Sequence, residues 1–312
     1  MIRNSVLPRL IAYIVLLTLS VNVQAKQEWP IKFTNPDGSV VTIAKKPQRI
    51  LSTSVTITGT LLAIDAPVIA SSANGNSRFF AQWEHVAKAR KIEKLWPISS
   101  VDLEAAYSVQ PDLIIVSTSG ADSALQHLKM LQEIAPTIVL DYGSQSWQKL
   151  ALQLGEATGL SDNAVKRIAE FDQYVKTAKE KLIIPKGKAN LVSYNGPGMI
   201  NPIATPNGSH GSLIASLGFD IEAPKLSWHG ALDKPDDFVK SEYERLTELN
   251  AETTFLLRVD DSAVPAFLED KVLANMPSVK LKQVYGLGKN SFRIDYYSAK
   301  EIVDGMVKRF AK

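Results

Sequence analysis

The sequence predicts an α/β protein of two lobes, each built on a mostly parallel sheet, joined by one long α-helix. Three observations predict it. Short, wholly apolar segments alternate with helical patterns between residues 101 and 158, as in a parallel sheet covered on both faces. The stretch 161–182, SDNAVKRIAEFDQYVKTAKEKL, carries Val165, Ile168, Phe171, Val175, Ala178 and Leu182 at spacings of three or four, which is one face of a helix. After Pro185 and Gly187 the strand–helix pattern starts again. In the long helix Ser161 and Asp162 read as N-cap residues, and Asp172 with Lys176 as an i,i+4 pair. Its length of roughly 33 Å, at about 1.5 Å per residue, matches a small domain. Residues 26–160 then form the first lobe, 161–184 the connecting helix and 185–312 the second lobe.

Residues 1–25 read as a secretory signal peptide. Arg3 and Arg9 flank the start of an apolar run over 10–19, and Val23-Gln24-Ala25 is a small-residue cleavage site. The run is short for a membrane span, with an uncleaved anchor as the alternative. Cleavage removes two arginines and leaves 33 basic against 32 acidic residues. With 45% hydrophobic and 21% charged residues the composition is that of a soluble globular protein, and a net charge of +3 offers no basic excess for nucleic acid. The chain has no cysteine, which excludes disulfides and thiol catalysis. A lipid anchor needs a cysteine at the cleavage site, whereas Lys26 follows Ala25. The expectation is release into the periplasm of a bacterium with two membranes, without stable membrane insertion.

In chain order, residues 30–43 read as a hairpin around Asp37-Gly38. A buried strand over 47–53, a helix over 56–64 and a short strand over 67–70 follow, then a polar loop over 71–78. Helices are expected at 101–107, 121–133 and 147–158, with strands at 111–116 and 137–140 between them. Beyond the long helix the pattern gives strands at 189–194, 253–257 and 283–285. It gives helices at 211–217, 244–249, 272–275 and 296–310, the last with Ile302, Met306 and Phe310 on one side.

Enzyme signatures are mostly missing, Gly286-Leu287-Gly288 being half of a dinucleotide motif that follows a strand only loosely. No phosphate-cradling loop and no dinucleotide fingerprint occurs, and Gly208-Ser209-His210-Gly211 lacks the spacing of a nucleophile elbow. The histidines, His85, His127, His210 and His229, form no i,i+4 pair, so the spacing supports no zinc site. In open parallel sheets ligands bind beyond the carboxyl ends of the strands. Those ends hold Thr53 and Ser54, Ser117 to Ser119 with Thr118 between, Tyr142, then Tyr194, Asn195 and Arg258. Two readings fit the hydroxyls there: polar ligand recognition, or capping of the next helix. Arg78 beside Phe79 and Phe80, Arg293 in SFRIDYY, and Trp228 with His229 add positive charge and rings to the same edge. Arginine beside aromatics suits an anionic aromatic ligand, while any single arginine also fits a solvated surface charge.

PQRILSTS, LLAIDAPVIAS, VDLEAAYSVQPDLIIVSTSG, LQEIAPTIV, SYNGPG and LKQVYGLGKNSFRIDYYSA, in this order over the chain after its signal segment, resemble the iron-siderophore periplasmic binding proteins of ABC importers. The resemblance implies two α/β lobes on a helical backbone, with the ligand in a shallow cleft between them. It implies a monomeric shuttle without catalysis, carrying a ferric catecholate siderophore that itself holds the iron, so no cofactor is expected. Arg293 matches a ligand-contacting arginine of the family, and Arg78 a second. A stacking tryptophan of the family falls at Ala204 in the register of TPNGSHG, leaving Trp228, Tyr194 or His210 as substitutes, or a linear or different catecholate as the ligand. Glu104 and Glu244 stand where the family docks on its permease; as glutamates that open helices, they also fit a macrodipole role. Hydroxamate, citrate, haem, cobalamin or metal cargo, and an exported α/β enzyme, are the alternatives.

Overall fold

The computed structural model describes residues 27–312 apart from Ser119 and Asp233, so the expected signal peptide lies outside the described residues. An antiparallel hairpin of β1 (Ile31–Thr34) and β2 (Val40–Ile43) opens the fold, with Gly38 in the turn at φ +84°.

The first lobe alternates strictly: β3 (Ile50–Ser52), α1 (Val55–Ala63), β4 (Val68–Ala73), α2 (Ala81–Ala89), β5 (Glu93–Pro97), α3 (Leu103–Ser108), β6 (Leu113–Ser117), α4 (Leu128–Ile134), β7 (Thr137–Leu140) and α5 (Trp147–Thr158). The strands pair in the order β5-β4-β3-β6-β7, all parallel, so every carboxyl end lies on one edge. Both faces are covered, which is why β6 reads as an unbroken apolar run: Leu113 and Ile115 join one core, Ile114 and Val116 the other. Strand β4 runs through Ala73, where the sequence suggested a loop from Ser71. Its buried serine is satisfied inside the sheet, Ser71 Oγ lying 2.6 Å from Thr58 Oγ. Neither α2 nor β5 had been assigned from the sequence, and α4 starts only after a 3-10 turn over Leu125–His127.

Helix α5 ends on Gly159 at φ +67°, the left-handed cap that glycine adopts without penalty, and the chain turns directly into α6 (Ser161–Lys181). The cap residue is Leu160, without a side-chain bond, so Ser161 and Asp162 do not cap as expected. Phe171, Val175 and Ala178 are buried, but Val165 is 58% exposed. Ala164 takes the inner position instead, against Gly155 of α5, where an added Cβ would lie 3.0 Å from the alanine methyl. Glu170 pairs with Arg167 at 2.9 Å on this helix, while Asp172 and Lys176 face a hollow between the lobes.

The second lobe comprises β8 (Lys188–Val192), β9 (Ile200–Ala204), α7 (Ser209–Ser216), β10 (Asp220–Ile221), β11 (Phe238–Glu242), β12 (Thr253–Leu256), α8 (Val264–Leu268), α9 (Pro277–Lys280), β13 (Val284–Gly286) and α10 (Tyr296–Phe310). Its sheet is mixed, in the order β11-β9-β8-β12-β13. Strands β8, β12 and β13 are parallel, whereas β9 runs antiparallel to both its neighbours. Strands β9 and β11 carried no sequence assignment. The expected helix at 272–275 is a turn, with the helix following at Pro277, and 243–248 is a 3-10 segment.

Helix α10 departs from the simple division at residue 185. Its first residues bed in the first lobe, Tyr296 against Trp147 at 5.6 Å and Tyr297 against His85 at 6.3 Å. Its end lies in the second, Phe310 against Tyr285 at 5.3 Å and Phe219 at 5.6 Å. One apolar core therefore runs from Ile50 and Leu61 through Phe171, Val175 and Met306 to Leu191 and Phe255. Among the described residues no helix is long and apolar enough to cross a membrane.

Candidate functional site

The carboxyl ends of the parallel strands of both lobes border one cleft, and each lobe equips its side differently. On the first, the loop after β6 supplies Asp122, a buried carboxylate. It accepts from Ser54 Oγ at 2.6 Å, the Thr56 amide at 3.0 Å and Tyr142 Oη at 2.8 Å. Ser54 is fully buried and its Oγ also caps α1 by accepting from the Ile57 amide, so the capping reading holds and Ser54 offers nothing to a ligand. Thr118 is half-buried, its amide donating to the Leu140 carbonyl at 2.9 Å, and Ser119 lies outside the described residues. Tyr142 does reach the cleft. Burial and the Asp122 carboxylate push its phenol up to about 12, so it stays a neutral ring with a fixed hydroxyl.

On the second lobe, Arg258 follows β12 with its backbone at φ +65°, a left-handed conformation that an arginine adopts at a cost of about 1 kcal/mol or more. Its amide donates to Ser291 Oγ at 2.9 Å and its guanidinium to Asn195 Oδ1. Phe292 lies between two guanidiniums, Arg258 Cζ 5.1 Å and Arg293 Cζ 5.0 Å from its ring centre. Arg293 also lies 5.6 Å over the Tyr142 ring of the opposite lobe. Among the described residues no carboxylate pairs with Arg258, Arg293 or Arg78. Arg78 is exposed in the turn after β4, which Asn74 ties by accepting from the Asn76 and Arg78 amides.

His210, buried in α7, bonds through Nε2 to the Ser291 carbonyl at 2.7 Å, and its ring lies 5.0 Å from Phe238. A carbonyl only accepts, so Nε2 carries the proton and Nδ1 is a bare, buried acceptor without a partner. Burial lowers its pKa to about 4, keeping it neutral. It holds the turn that carries Phe292 and Arg293 rather than presenting charge.

Two expected stacking residues are not in the cleft. Trp228 is packed into the second-lobe core with Val192, Ile203 and Val239, and Lys225 Nζ covers its ring at 5.1 Å. Tyr194 turns inward, its hydroxyl donating to Asp270 at 2.7 Å and its ring lying 5.0 Å from Phe267. Ala204 is fully buried in β9 and pairs directly with Phe238 of β11. Antiparallel partners share a face, so Phe238 supplies a ring where the register of Ala204 lacks one. Phe238 stacks on Phe292 at 5.9 Å and 17°. Sequence reading missed Phe238 and Asp122. Phe238 sits on a strand that was not recognised, and nothing local marks Asp122 as the anchor of three distant donors.

A notch of about 40 Å³ lies among Thr56, Tyr142, His210, Phe238 and Arg293, room for one or two waters. Beside it a hollow of about 710 Å³ opens between residues 143–149 and 207–216, floored by Phe171, Val175 and Lys176. That hollow is large enough for a small molecule, and its lining carries three lysines, Lys149, Lys176 and Lys179, beside three aspartates, Asp172, Asp236 and Asp237, so it has no excess of positive charge. The excess of positive charge lies at the notch, where Arg293 and, across Phe292, Arg258 have no carboxylate partner among the described residues, and this is the candidate site for an anion.

Glu104 is exposed in the first turn of α3, after the carboxyl end of β5. Glu244 is exposed just after β11, whose last residue pairs with Ile200. Both therefore stand on the cleft edge of their lobes, one on each.

A family model described as periplasmic binding protein matches residues 50–291. The chain is 40% identical over 293 residues to the ferric enterobactin-binding periplasmic protein FepB of Escherichia coli O6:H1 (strain CFT073), covering 91% of this chain and 92% of that one. It is 25% identical to the iron(3+)-hydroxamate-binding protein FhuD of Bacillus subtilis (strain 168), covering 81% and 77%. The crystal structure of holo-ViuP matches with a TM-score of 0.89 at 52% identity, covering 92% of this chain and 97% of that one. Staphylococcus aureus SirA complexed with staphyloferrin B matches at 0.68 with 18% identity, covering 89% and 97%, a likeness of fold.

Proposed function

The chain belongs to the periplasmic binding protein family, and we propose that this member captures a ferric catecholate siderophore in the periplasm and delivers it, as a monomer, to an ABC importer. The observation that carries the reading is the pair of guanidiniums, Arg258 and Arg293, flanking Phe292 without a carboxylate partner at the mouth between the lobes. A ferric tris-catecholate carries three negative charges on aromatic rings. Guanidiniums donate to its oxygens, while Phe292, Phe238 and Tyr142 cover ring faces. The iron stays with the siderophore's own oxygens, and the task is binding, without catalysis. FepB, at 40% identity, is the relative whose name supports this ligand class.

An open rim with a notch of about 40 Å³ binds tightly only if it is already shaped for its ligand. The core continuous through α6 and α10 supports such stiffness, so closure on binding is small. Exposed Glu104 and Glu244, one per lobe, then orient the loaded protein on a basic permease face, steering more than they bind.

Tryptophan quenching with ferric enterobactin and with a ferric hydroxamate tests the ligand class. Saturable quenching by the catecholate alone supports it; quenching by the hydroxamate alone, or by neither, contradicts it. Glu104→Lys with Glu244→Lys is expected to abolish transport while leaving this titration unchanged, and surviving transport removes the docking assignment.

A further inference from the structure

Arg293 is encoded among second-lobe residues, yet its surroundings change lobe within two positions. Ser291 and Phe292 are held by the second lobe: His210 Nε2 donates to the Ser291 carbonyl, the Arg258 amide donates to Ser291 Oγ, and Phe292 stacks on Phe238. From Arg293 onward the anchors belong to the first lobe or to α10. Arg293 lies over Tyr142, and its carbonyl accepts from Ser298 Oγ at 2.6 Å. Asp295 caps α10 by accepting from the Tyr297 and Ser298 amides, while its own amide donates to Ser298 Oγ.

The Asp295 carboxylate is 3% exposed, and its other oxygen accepts from Gln82 Nε2 of α2 at 3.1 Å. Gln82 is itself buried. Helix α1 makes room for the contact: a Cβ at Gly59 would lie 2.6 Å from Asp295 Oδ2, so any side chain there would push the carboxylate away. Glycine inside a helix costs about 1 kcal/mol relative to alanine, so its place here is explained by the approaching carboxylate. Two first-lobe helices are thus fitted to one residue more than two hundred positions away.

We propose that Gln82 is a positioning residue for the cleft: by donating to Asp295 it fastens the turn behind Arg293 to the first lobe, so that the two site arginines are held by opposite lobes. Arg258 is anchored at the end of β12 and the turn behind Arg293 on α2, so a ligand touching both spans anchors in the two lobes. The inference rests on the cleft reading above.

The test is a double-mutant cycle with ferric enterobactin as probe, read by tryptophan quenching. Gln82→Met keeps the length and removes the donor. It is expected to weaken binding by roughly tenfold in the wild-type background and by less than about twofold in Arg293→Ala, the pattern of two residues acting as one. Equal losses in both backgrounds, or no loss in either, overturn the proposal, because a merely structural residue does not act through Arg293. Asp295→Asn, which alters the acceptor of the Gln82 bond from its other side, repeats the cycle and is judged the same way should the methionine variant not fold. Failure of the unsubstituted protein to bind at all is a separate result, which removes the cleft reading before any variant is made.

Discussion

The two sides of the cleft solve the same task with opposite chemistry. In the first lobe a buried acid, Asp122, draws Ser54, Thr56 and Tyr142 into one network, so the polar atoms are spent on one another and a ring is left facing the ligand. In the second lobe the polar atoms are left over. Arg258 sits in a strained backbone conformation with an exposed guanidinium, and Phe292 separates it from the Arg293 guanidinium, whose turn Gln82 ties to the first lobe. A stiff floor that presents a neutral ring, facing a wall that carries guanidiniums, suits a ligand whose charge lies on oxygens and whose bulk is aromatic. The floor sets shape, and the wall sets sign.

That contrast predicts where substitutions act. Asp122→Ala leaves three donors without an acceptor and is expected to cost about 3 kcal/mol or more of stability, read by urea unfolding; a milder loss means the first-lobe network is not a unit. Arg293→Ala is expected to cost about 1.5–3 kcal/mol of binding and little stability. Exposed Arg258, screened by water, is expected to cost about 1 kcal/mol, and the reverse order would break the account of the wall. Gly59→Ala brings a methyl against Asp295 and Trp83 at 2.6 and 2.9 Å, and a net loss of about 1–3 kcal/mol is expected despite alanine's better helix propensity.

The smallest effect is on pH dependence, where the two sides of the 291–295 turn pull in opposite directions. Burial lowers His210 from 6.5 to about 4, so on acidification the unfolded chain takes up a proton that the native protein refuses, and stability falls below about pH 6.5. Burial raises Asp295 from 3.8 to about 6, so the native protein takes up its proton first, and stability rises as pH falls from about 6 towards 4. Relative to the wild type, His210→Gln is expected to gain stability between pH 7 and 5 and Asp295→Asn to lose it, in urea midpoints. Parallel slopes for the two variants would contradict the assignment.

The lobes also differ in how much of them could be read from the sequence. Every first-lobe strand from β6 onward is a short apolar run between helical patterns, because a central parallel strand is buried on both faces. Strands β9 and β11 lack that signature. INPIA contains a proline and FVKSE alternates over only five residues, so their pairing rests on contacts that no local pattern encodes. Arg258 and Tyr142 were legible as residues at strand ends, since that edge follows from topology alone, and Arg293 as an arginine beside rings in the loop before the last helix. Trp228 and Tyr194 misled because a strand end or a loop fixes where a residue stands without fixing which way its ring turns. Trp228 found a core to fill, and Tyr194 found Asp270. The crossing of α10 was hidden for a related reason: Gln82 and Asp295 are ordinary polar residues until the fold buries them together.

The central claim is that unpaired arginines from both lobes hold a ferric tris-catecholate, and a visible spectrum after desalting tests it most directly. Protein incubated with ferric enterobactin and passed through a desalting column is expected to retain the catecholate-to-iron charge-transfer band at one complex per chain, and the Arg258→Ala/Arg293→Ala double variant to lose it. A colourless wild-type protein, or a double variant that keeps the band at the same stoichiometry and affinity, would contradict the account.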